Sequence, residues 1–528
     1  MKVQMKPYKR IALLVLLFST CHLFAAVQEI HIGNGGGDVK DLDPQMTTAN
    51  EEGNIIRNLF EGLVVKDPKT ADPVPGVALK WTTSKDGKKF TFQLNPNAKW
   101  SDGTPVTAND FVYSWTRLLD PKTASENAVL AHAILNGKEF NQGKEKDPKK
   151  LGLKAVSPTV FEVTLSKPVP YFIRLISHFI FYPVPQKAIE KSGAKWTRPE
   201  NIVSNGAFAM SKWETNKVVT IKKNPHYWDK EKVQLEAAHF YPLKSETEEK
   251  MFRVGKLHVV YEIPTDLLPT WEKDKTGSFH RSSVLGVYYY WFNVNKPPFD
   301  NLLVRRALTL AIDREKLTKF VTKGNQAAAT AFVPPGCGGY QPKPILPKDG
   351  SDIAKAKKFL AQAGYRDGKN FPKVQLIYNT NSNIKKIAEA TQAMWKENLG
   401  VDIEIVNMEW KVLLDTTHQK NFGMARASWT ADYNDPTTFL NLFLSYSDSN
   451  QSGWKNDEYD RWMKEADVEL SPHKRFELIK RAEAVLLAEL PVLPIYYYNR
   501  SALRSPKVAG WYTNVEDVHP LKEVYIKD

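Results

Sequence analysis

The sequence contains very little cysteine and no long hydrophobic run after its first residues. Only two of its 528 residues are cysteine, Cys21 and Cys337. Because Cys21 lies in an amino-terminal segment that we expect to be removed, the mature chain keeps one cysteine and can form no internal disulfide. No later segment reaches the ~20 apolar residues that a membrane-spanning helix needs. We therefore expect a water-soluble mature protein.

The first 26 residues are typical of a secretory signal. Met1–Arg10 carries four basic and no acidic residues, Ile11–Phe18 is apolar, and the small residues Ala25 and Ala26 follow. Cleavage after one of these alanines is expected, with residues 1–26 removed and the protein delivered to the periplasm. Lipid attachment at Cys21 is the less favoured alternative, because the three residues before it fit a lipobox poorly.

Motifs for catalysis are missing from the sequence as well. We find no nucleophile-elbow serine, no paired-cysteine spacing and no histidine pair at helical metal-binding spacing. An exported peptidase or glycosidase would need an activated nucleophile, a metal or a specific acid pair. We therefore predict that the chain is not an enzyme, and we expect no cofactor and no metal.

The positive charge of the chain does not indicate nucleic-acid binding. The formal net charge of +14 falls to +10 when the four basic residues of the predicted signal are removed. The remaining basic residues are mixed with acidic ones along the whole chain, and an exported protein does not meet nucleic acid. We predict no nucleic-acid partner.

The last third of the chain gives the clearest fold signal. A strand at Val374–Tyr378 is followed by helical spacing from Ile384 to Leu399 and by alternation from Val401 to Ile405. Strand, helix and strand with short links predict a parallel crossover, in which ligands bind beyond the carboxyl ends of the strands. Glu409 and Trp410 follow the second strand directly.

Other segments give simpler predictions. Phe90–Leu94 alternates as a half-buried strand, and Thr107 with Asp110 forms a helix-capping box. We predict one long helix from Asp300 to Lys323 and a strand that ends at Tyr496–Tyr498. The aromatic run Tyr288–Phe292 should place rings on both sides of a sheet, either packed or facing a cavity.

The stretch Arg426–Leu440, RASWTADYNDPTTFL, contains the main candidate binding residue. Asp432 lies between Trp429 and Tyr433, and a turn-forming Asn-Asp-Pro follows. Local pattern alone also fits a loop that leads into a helix. Opposite charges on Asp432 and Arg426, with aromatic rings beside them, suit a zwitterionic peptide.

Five motifs carry a resemblance to a known family. They are AKWSDGTPVTANDFVYSW (98–115), KPVPYF (167–172), NIVSNGAF (201–208), EWK (409–411) and WTADYNDPTTFLN (429–441). The chain resembles the dipeptide/oligopeptide solute-binding proteins of ABC importers over nearly its whole mature length. The resemblance implies an α/β, two-lobed periplasmic binding protein fold of type II with an extra mixed α/β module.

The resemblance also implies a division of the chain. Lobe I would comprise residues 27–60, 186–223 and 499–528, the extra module residues 61–185, and lobe II residues 224–498. Hinges would lie near Lys223 and Tyr498, and a peptide would be enclosed between the lobes.

The residues that the resemblance assigns to peptide binding fall into three groups. Asp432 would pair with the peptide's amino terminus. The residues that line the pocket or lie near it are Arg426, Trp410, Trp429, Thr430 and Tyr498. Positions at which relatives carry other residues are Thr417 and Ile384 (an Arg and a His near the peptide carboxyl terminus), Asn127 (a Tyr) and Thr48 (a Glu). Gly286 and Thr430 occupy the places of a disulfide found in related proteins.

These implications lead to one functional hypothesis and an alternative. The chain would be a monomeric extracytoplasmic receptor that binds short peptides and delivers them to the permease subunits of an ABC transporter in the inner membrane. The alternative is a receptor for murein peptides in cell-wall recycling, because the altered carboxyl-end positions leave room for such a ligand.

Overall fold

The computed structural model describes Met1, residues 27–35 and residues 38–528. The predicted signal therefore lies outside the described residues, apart from Met1. Among the described residues, no helix is both long and apolar enough to cross a membrane.

The strands of the described residues are, in chain order, β1 (Glu29–Gly33), β2 (Val64–Lys66), β3 (Pro73–Pro75), β4 (Ala78–Thr83), β5 (Lys89–Leu94), β6 (Leu153–Ser157), β7 (Val160–Thr164), β8 (Phe208–Glu214), β9 (Val218–Lys223), β10 (Ala237–Tyr241), β11 (Val259–Val260), β12 (Phe279–Phe292), β13 (Ala327–Ala328), β14 (Val374–Asn379), β15 (Ile403–Met408), β16 (Met424–Thr430), β17 (Val492–Arg504), β18 (Val508–Ala509) and β19 (Tyr525–Ile526).

The α-helices of the same residues are α1 (Asn50–Leu59), α2 (Ala108–Leu119), α3 (Gly137–Asn141), α4 (Phe172–Leu175), α5 (Gln186–Ser192), α6 (Ser245–Arg253), α7 (Leu268–Trp271), α8 (Leu302–Leu310), α9 (Arg314–Lys316), α10 (Ile353–Gln362), α11 (Ser382–Leu399), α12 (Trp410–His418), α13 (Thr437–Leu440), α14 (Asp457–Val468) and α15 (Pro472–Glu489).

One large sheet runs through both halves of the molecule. Its strand order is β15-β14-β16-β12-β17-β11-β1-β10-β9-β8, with β13 also paired to β17. The two long strands β12 and β17 are antiparallel to each other and join the halves, because β12 also pairs with β16 and β17 also pairs with β11. We call the half that contains β1 the first half-sheet and the half that contains β14 the second half-sheet.

The two joining strands lose their regular register at one place. Ser283 pairs with Asn499, whereas the next pair is Val287 with Tyr497, so Tyr498 lies opposite an irregular stretch of β12. A break in the ladder locally bends and twists a strand pair. This irregularity lies between the two half-sheets, beside the predicted hinge at Tyr498.

The strand pairing corrects the predicted boundary at residue 223. The predicted lobe II of residues 224–498 is divided between the halves, because β10 pairs with β1 and β9, and β11 pairs with β1. Residues 237–260 thus belong to the first half-sheet, and the chain does not cross between the halves near Lys223. The pairing is missed by local pattern because β1 and β10 are about 200 residues apart in sequence.

The extra module contains its own antiparallel sheet, in the order β4-β5-β7-β6. Helix α2 packs against it through Phe111 and Trp115, which contact Phe161 of β7. The predicted strand at Phe90–Leu94 and the capping box are confirmed, since the Thr107 backbone N–H donates to the Asp110 carboxylate at 2.7 Å.

The predicted crossover in the last third is also confirmed. Strands β14 and β15 pair in parallel, with Val374 opposite Ile403, and α11 connects them before ending at Gly400. Gly400 has φ +70°, the left-handed conformation that commonly ends a helix. Glu409 caps α12 directly after β15.

Two predicted elements were wrong in extent. The single helix expected from Asp300 to Lys323 is interrupted, because the Asp313 side chain accepts the Lys316 N–H and starts a new helix, which continues as a π-helical turn over Leu317–Thr322. The strand expected to end at Tyr498 continues to Arg504, since it keeps its ladder with β12 beyond the irregular stretch.

The aromatic run of β12 serves two separate cores. Tyr288 and Tyr290 pack into the core on the side of α11, whereas Tyr289 and Trp291 pack into the core on the side of α15. Tyr288 and Tyr289 also line cavities, so both expectations for this run hold.

Candidate functional site

Asp432 lies in the loop that leaves β16 and is held there by one side chain. The Oγ1 atom of Thr438 accepts the Asp432 backbone N–H at 3.2 Å and donates to the Asp432 carboxylate at 3.3 Å. Both contacts come from the first turn of α13, only six residues downstream. The carboxylate is therefore oriented before any ligand arrives.

The loop around Asp432 is stabilised by buried contacts on its far side. Asp435 forms two 2.7 Å hydrogen bonds with the guanidinium of Arg475, and both side chains are 5% exposed. Tyr433 stacks on Tyr171 of the extra module, with ring centroids 5.1 Å apart. These contacts tie the loop to helix α15 and to the extra module.

The electrostatics of Asp432 favour a cationic ligand. Desolvation raises the pKa of its carboxyl to about 6, against smaller lowering effects from Thr438 and Lys66. In the part of the chain that the structure describes, Asp432 forms no ion pair. A partly buried carboxylate without a counter-ion gains most from a ligand that supplies the positive charge.

The nearby cation is already neutralised. Lys66 of β2 lies 2.6 Å from a carboxylate oxygen of Glu516, and the two side chains are 7% and 5% exposed. Because Glu516 holds the ammonium of Lys66, the carboxylate of Asp432 stays available for another partner.

A cavity of about 290 Å³ opens beside this loop, between the two half-sheets. Its second-half residues include Thr430 and Ala431, the two residues directly before Asp432, together with Tyr498. Asn34, which follows β1, comes from the opposite side. The cavity thus has walls from both halves of the molecule.

A second cavity of about 320 Å³ lies along the same stretch of β17 and shares Tyr498, Asn499 and Arg500 with the first. Arg426 and Ile384, two of the predicted site residues, line it. The guanidinium of Arg426 donates to Tyr498 Oη and to Asn379 Oδ1, both at 3.2 Å. Its Nε is buried and has no hydrogen-bond partner among the described residues.

A third cavity of about 160 Å³ is lined by four of the predicted residues, Trp410, Thr417, Arg426 and Trp429. Trp429 packs with the core on the α15 side, whereas Arg426 contacts Tyr288 and Tyr498 on the α11 side. Successive side chains of a strand point to opposite faces, so the three-residue spacing separates these two side chains. The side chains of Arg426 and Trp429 therefore lie on opposite faces of the sheet, although both residues line the third cavity.

Thr48 and Asn127 lie together at the extra module. Asn127 donates to the backbone carbonyl of Thr47 at 3.3 Å, and Thr48 is exposed. Neither residue is among those that line the three cavities described above.

Gly286 and Thr430, which occupy the places of the disulfide in related proteins, are directly opposite each other in the β12–β16 ladder. A Cβ added to Gly286 would lie 2.9 Å from Cδ2 of Tyr498. The glycine thus makes space for the ring of Tyr498, which lines both inter-half cavities.

Sequence reasoning missed Lys66, Glu516 and Thr438. Lys66 and Glu516 are 450 residues apart, so no local pattern links them. Thr438 had a usable signal, because Thr at the start of a helix commonly hydrogen-bonds the preceding loop.

Two half-sheets are joined by two strands, and beside the cavity between them lies a carboxylate, Asp432, that forms no ion pair with any described residue. These features define a two-lobed ligand-binding protein. Residues 72–451 match the family described as bacterial extracellular solute-binding proteins, family 5. The chain belongs to this family. Membership confirms the predicted type II periplasmic binding protein fold and the prediction that the chain is not an enzyme.

Curated relatives cover almost the whole chain. The periplasmic oligopeptide-binding protein OppA of Salmonella typhimurium is 40% identical over 504 residues, which are 94% of this chain and 91% of that protein. The periplasmic murein peptide-binding protein MppA of Escherichia coli is 39% identical over 492 residues, 92% of this chain and 91% of that protein.

Solved structures show the same similarity. The E. coli murein tripeptide binding protein MppA superposes with a TM-score of 0.82 at 38% identity, covering 96% of this chain and 99% of that one. Haemophilus influenzae OppA in complex with the peptide RPPGFSPFR gives a TM-score of 0.79 at 34% identity, covering 95% and 99%.

Proposed function

We propose that this chain is an extracytoplasmic receptor that encloses short peptides between its two lobes and delivers them to an ABC importer. The observation that carries the proposal is Asp432, an oriented carboxylate without an ion pair in the described residues, beside a cavity with walls from both halves. The relatives named for oligopeptides and murein peptides support the same ligand class.

Asp432 binds the free ammonium group of the peptide. Removing one partner of a desolvated charge pair costs about 2–5 kcal/mol, so this contact sets the requirement for a free amine. The peptide backbone then extends through the two cavities that share Tyr498, Asn499 and Arg500.

The remaining predicted residues form the parts of the site that receive the side chains and the carboxyl end of the peptide. Arg426 and Ile384 line the second inter-half cavity, and Trp410, Thr417 and Trp429 form an apolar pocket behind β16. Thr417 and Ile384 replace charged residues of relatives, so we infer a weaker demand for a peptide carboxylate. Thr48 and Asn127 belong to the outer part of the site.

Closure is a hinge motion of the two lobes around the irregular stretch of β12 opposite Tyr498. We infer a lobe I of residues 27–60, 186 to about 283 and 499–528, an extra module of residues 61–185, and a lobe II from about 284 to 498. Ligand binding favours the closed form because only that form contacts the peptide from both sides.

We further infer export through the cleaved signal at residues 1–26, a monomeric state and docking of the closed form on the permease subunits. Neither a cofactor nor nucleic acid takes part in this function.

The direct test of the ligand class is mass spectrometry of compounds released from protein purified without denaturation. Peptides of a few residues with free amino termini are expected. Retention only of ligands that lack an amine would contradict the proposal.

A murein peptide receptor is the second candidate, supported by the relative MppA. Titration calorimetry with a murein tripeptide and with ordinary tri- to pentapeptides separates the two. Tighter binding of ordinary peptides supports the oligopeptide receptor, and tighter binding of the murein tripeptide supports the alternative.

A further inference from the structure

Glu29, His31 and His239 form a cluster on the first half-sheet, away from the peptide site. His31 of β1 is directly opposite His239 of β10 in the parallel ladder. Their rings stack with centroids 4.6 Å apart and planes within 10°. Glu29 lies two residues before His31 in the same strand, so its side chain points to the same face.

The ring nitrogens of both histidines are distinguished by their hydrogen bonds. His31 Nδ1 lies 2.9 Å from Tyr241 Oη, and His239 Nδ1 lies 3.0 Å from Thr220 Oγ1. His239 Nε2 is 3.3 Å from a carboxylate oxygen of Glu29. A hydroxyl partner on each Nδ1 leaves both Nε2 atoms available, and that of His239 contacts the Glu29 carboxylate. A hydrogen bond on the second ring nitrogen is the outer-shell feature that orients metal-binding histidines.

From this geometry we propose that Glu29, His31 and His239 bind one divalent transition metal ion of the zinc class. One ligand atom from each residue lies within 4.8 Å of those of the other two. Zinc bonds of about 2.0–2.2 Å place tetrahedral ligand atoms roughly 3.3–3.5 Å apart, which matches the Glu29–His239 distance. The remaining separations must close by about 1.5 Å at most, through rotation of the Glu29 side chain, which is 43% exposed, and of the two imidazole rings.

The donor set selects among metals. Two imidazoles and one carboxylate suit Zn²⁺, Ni²⁺ or Cu²⁺, whereas Ca²⁺ and Mg²⁺ prefer oxygen ligands throughout. Three protein ligands leave one tetrahedral position for water. His258 lies beside the cluster and accepts the His31 backbone N–H through Nδ1 at 3.0 Å. It is not among the three residues whose ligand atoms lie within 4.8 Å of one another.

The site is separate from the proposed peptide site and does not depend on it. His31 lies within β1, before the strand end at Gly33, whereas the inter-half cavity begins with Asn34 beyond that end. Sequence spacing could not reveal the site, because β10 brings in His239 from about 200 residues away.

The test uses the mature chain without a histidine tag, treated with a chelator and then titrated with Zn²⁺ by calorimetry. One Zn²⁺ per chain is expected, confirmed by elemental analysis after dialysis, with no comparable binding of Mg²⁺. His239→Asn removes a ligand and should weaken Zn²⁺ binding at least about 100-fold. Thr220→Val removes an outer-shell partner and should weaken it about 10- to 100-fold.

His473→Asn, an exposed histidine at the start of α15, is the matched control and should leave Zn²⁺ binding unchanged. Circular dichroism and peptide affinity of each variant show whether the chain remains folded. Absence of stoichiometric binding, or equal Zn²⁺ affinity of folded His239→Asn and Glu29→Gln variants and the parent, would overturn the proposal.

Discussion

Thr438 holds Asp432 at two points, since its hydroxyl accepts the Asp432 backbone N–H at 3.2 Å and donates to the Asp432 carboxylate at 3.3 Å. This pair joins the end of β16 to the first turn of α13. It places a carboxylate in a fixed orientation beside the cavity between the two half-sheets, which is the basis of the proposed function.

Thr438→Val should weaken binding of free-amine peptides by about 2- to 12-fold, the equivalent of about 0.5–1.5 kcal/mol for one hydrogen bond. The variant keeps the shape of the side chain but leaves the carboxylate less well oriented. Titration calorimetry measures the change. Thr416→Val, which removes a hydroxyl on the exposed face of α12, is the control and should bind like the parent.

Peptide affinity should depend on pH in a defined direction. Burial raises the pKa of the Asp432 carboxyl to about 6, and a peptide amine has a pKa of about 7.7–8.0. The ion pair needs the first group deprotonated and the second protonated. Affinity should therefore be highest between about pH 6 and 8 and fall about tenfold per unit below pH 6.

In the ligand-free chain the sign for stability is opposite. Because the folded-state pKa of Asp432 lies above its ordinary value of 3.8, protonation of this group favours the folded state as pH falls between these values.

If the peptide affinity of Asp432→Asn still falls below pH 6, the titration belongs to another group.

Glu516→Gln should lower both stability and peptide affinity. It leaves Lys66 buried without its partner, which costs about 3–5 kcal/mol, and it frees the ammonium of Lys66 to compete for Asp432. Denaturant unfolding and calorimetry measure the two effects. The exposed Glu200→Gln is the control, and full peptide affinity in folded Glu516→Gln would show that Lys66 does not compete.

Gly286→Ala should destabilise the chain by about 1–3 kcal/mol and weaken peptide binding, because the new Cβ would lie 2.9 Å from the Tyr498 ring. The double variant with Tyr498→Ala relieves the overlap. Its unfolding free energy should therefore exceed the value expected from adding the two single effects. Strict additivity would contradict the role assigned to the ring.

Local elements were predicted well where their contacts are local. The β14-α11-β15 crossover follows from periodicity and from Gly400, because all its parts lie within 35 residues of chain. The turn after Asp432 could be predicted equally well, since a strand end, a loop and a helix start follow in order.

Long-range pairing could not be predicted from pattern. Residues 237–260 belong to the first half-sheet because β10 and β11 pair with β1. Strand β17 continues past Tyr498 because β12 supplies its pairing partners. The Lys66–Glu516 pair joins residues 450 positions apart. The alternation of side chains along β16 can be predicted from the sequence. Only the structure shows that the side chains of Arg426 and Trp429 pack on opposite faces of the sheet.

The central claim is that Asp432 binds the amino terminus of the peptide. Calorimetry of one peptide with a free and with an acetylated amino terminus, on the parent and on Asp432→Asn, tests it most directly. The free peptide should lose about 30- to several-thousand-fold in affinity for the variant, while the acetylated peptide binds both proteins equally weakly. Unchanged affinity of the free peptide for a folded Asp432→Asn variant would contradict the claim.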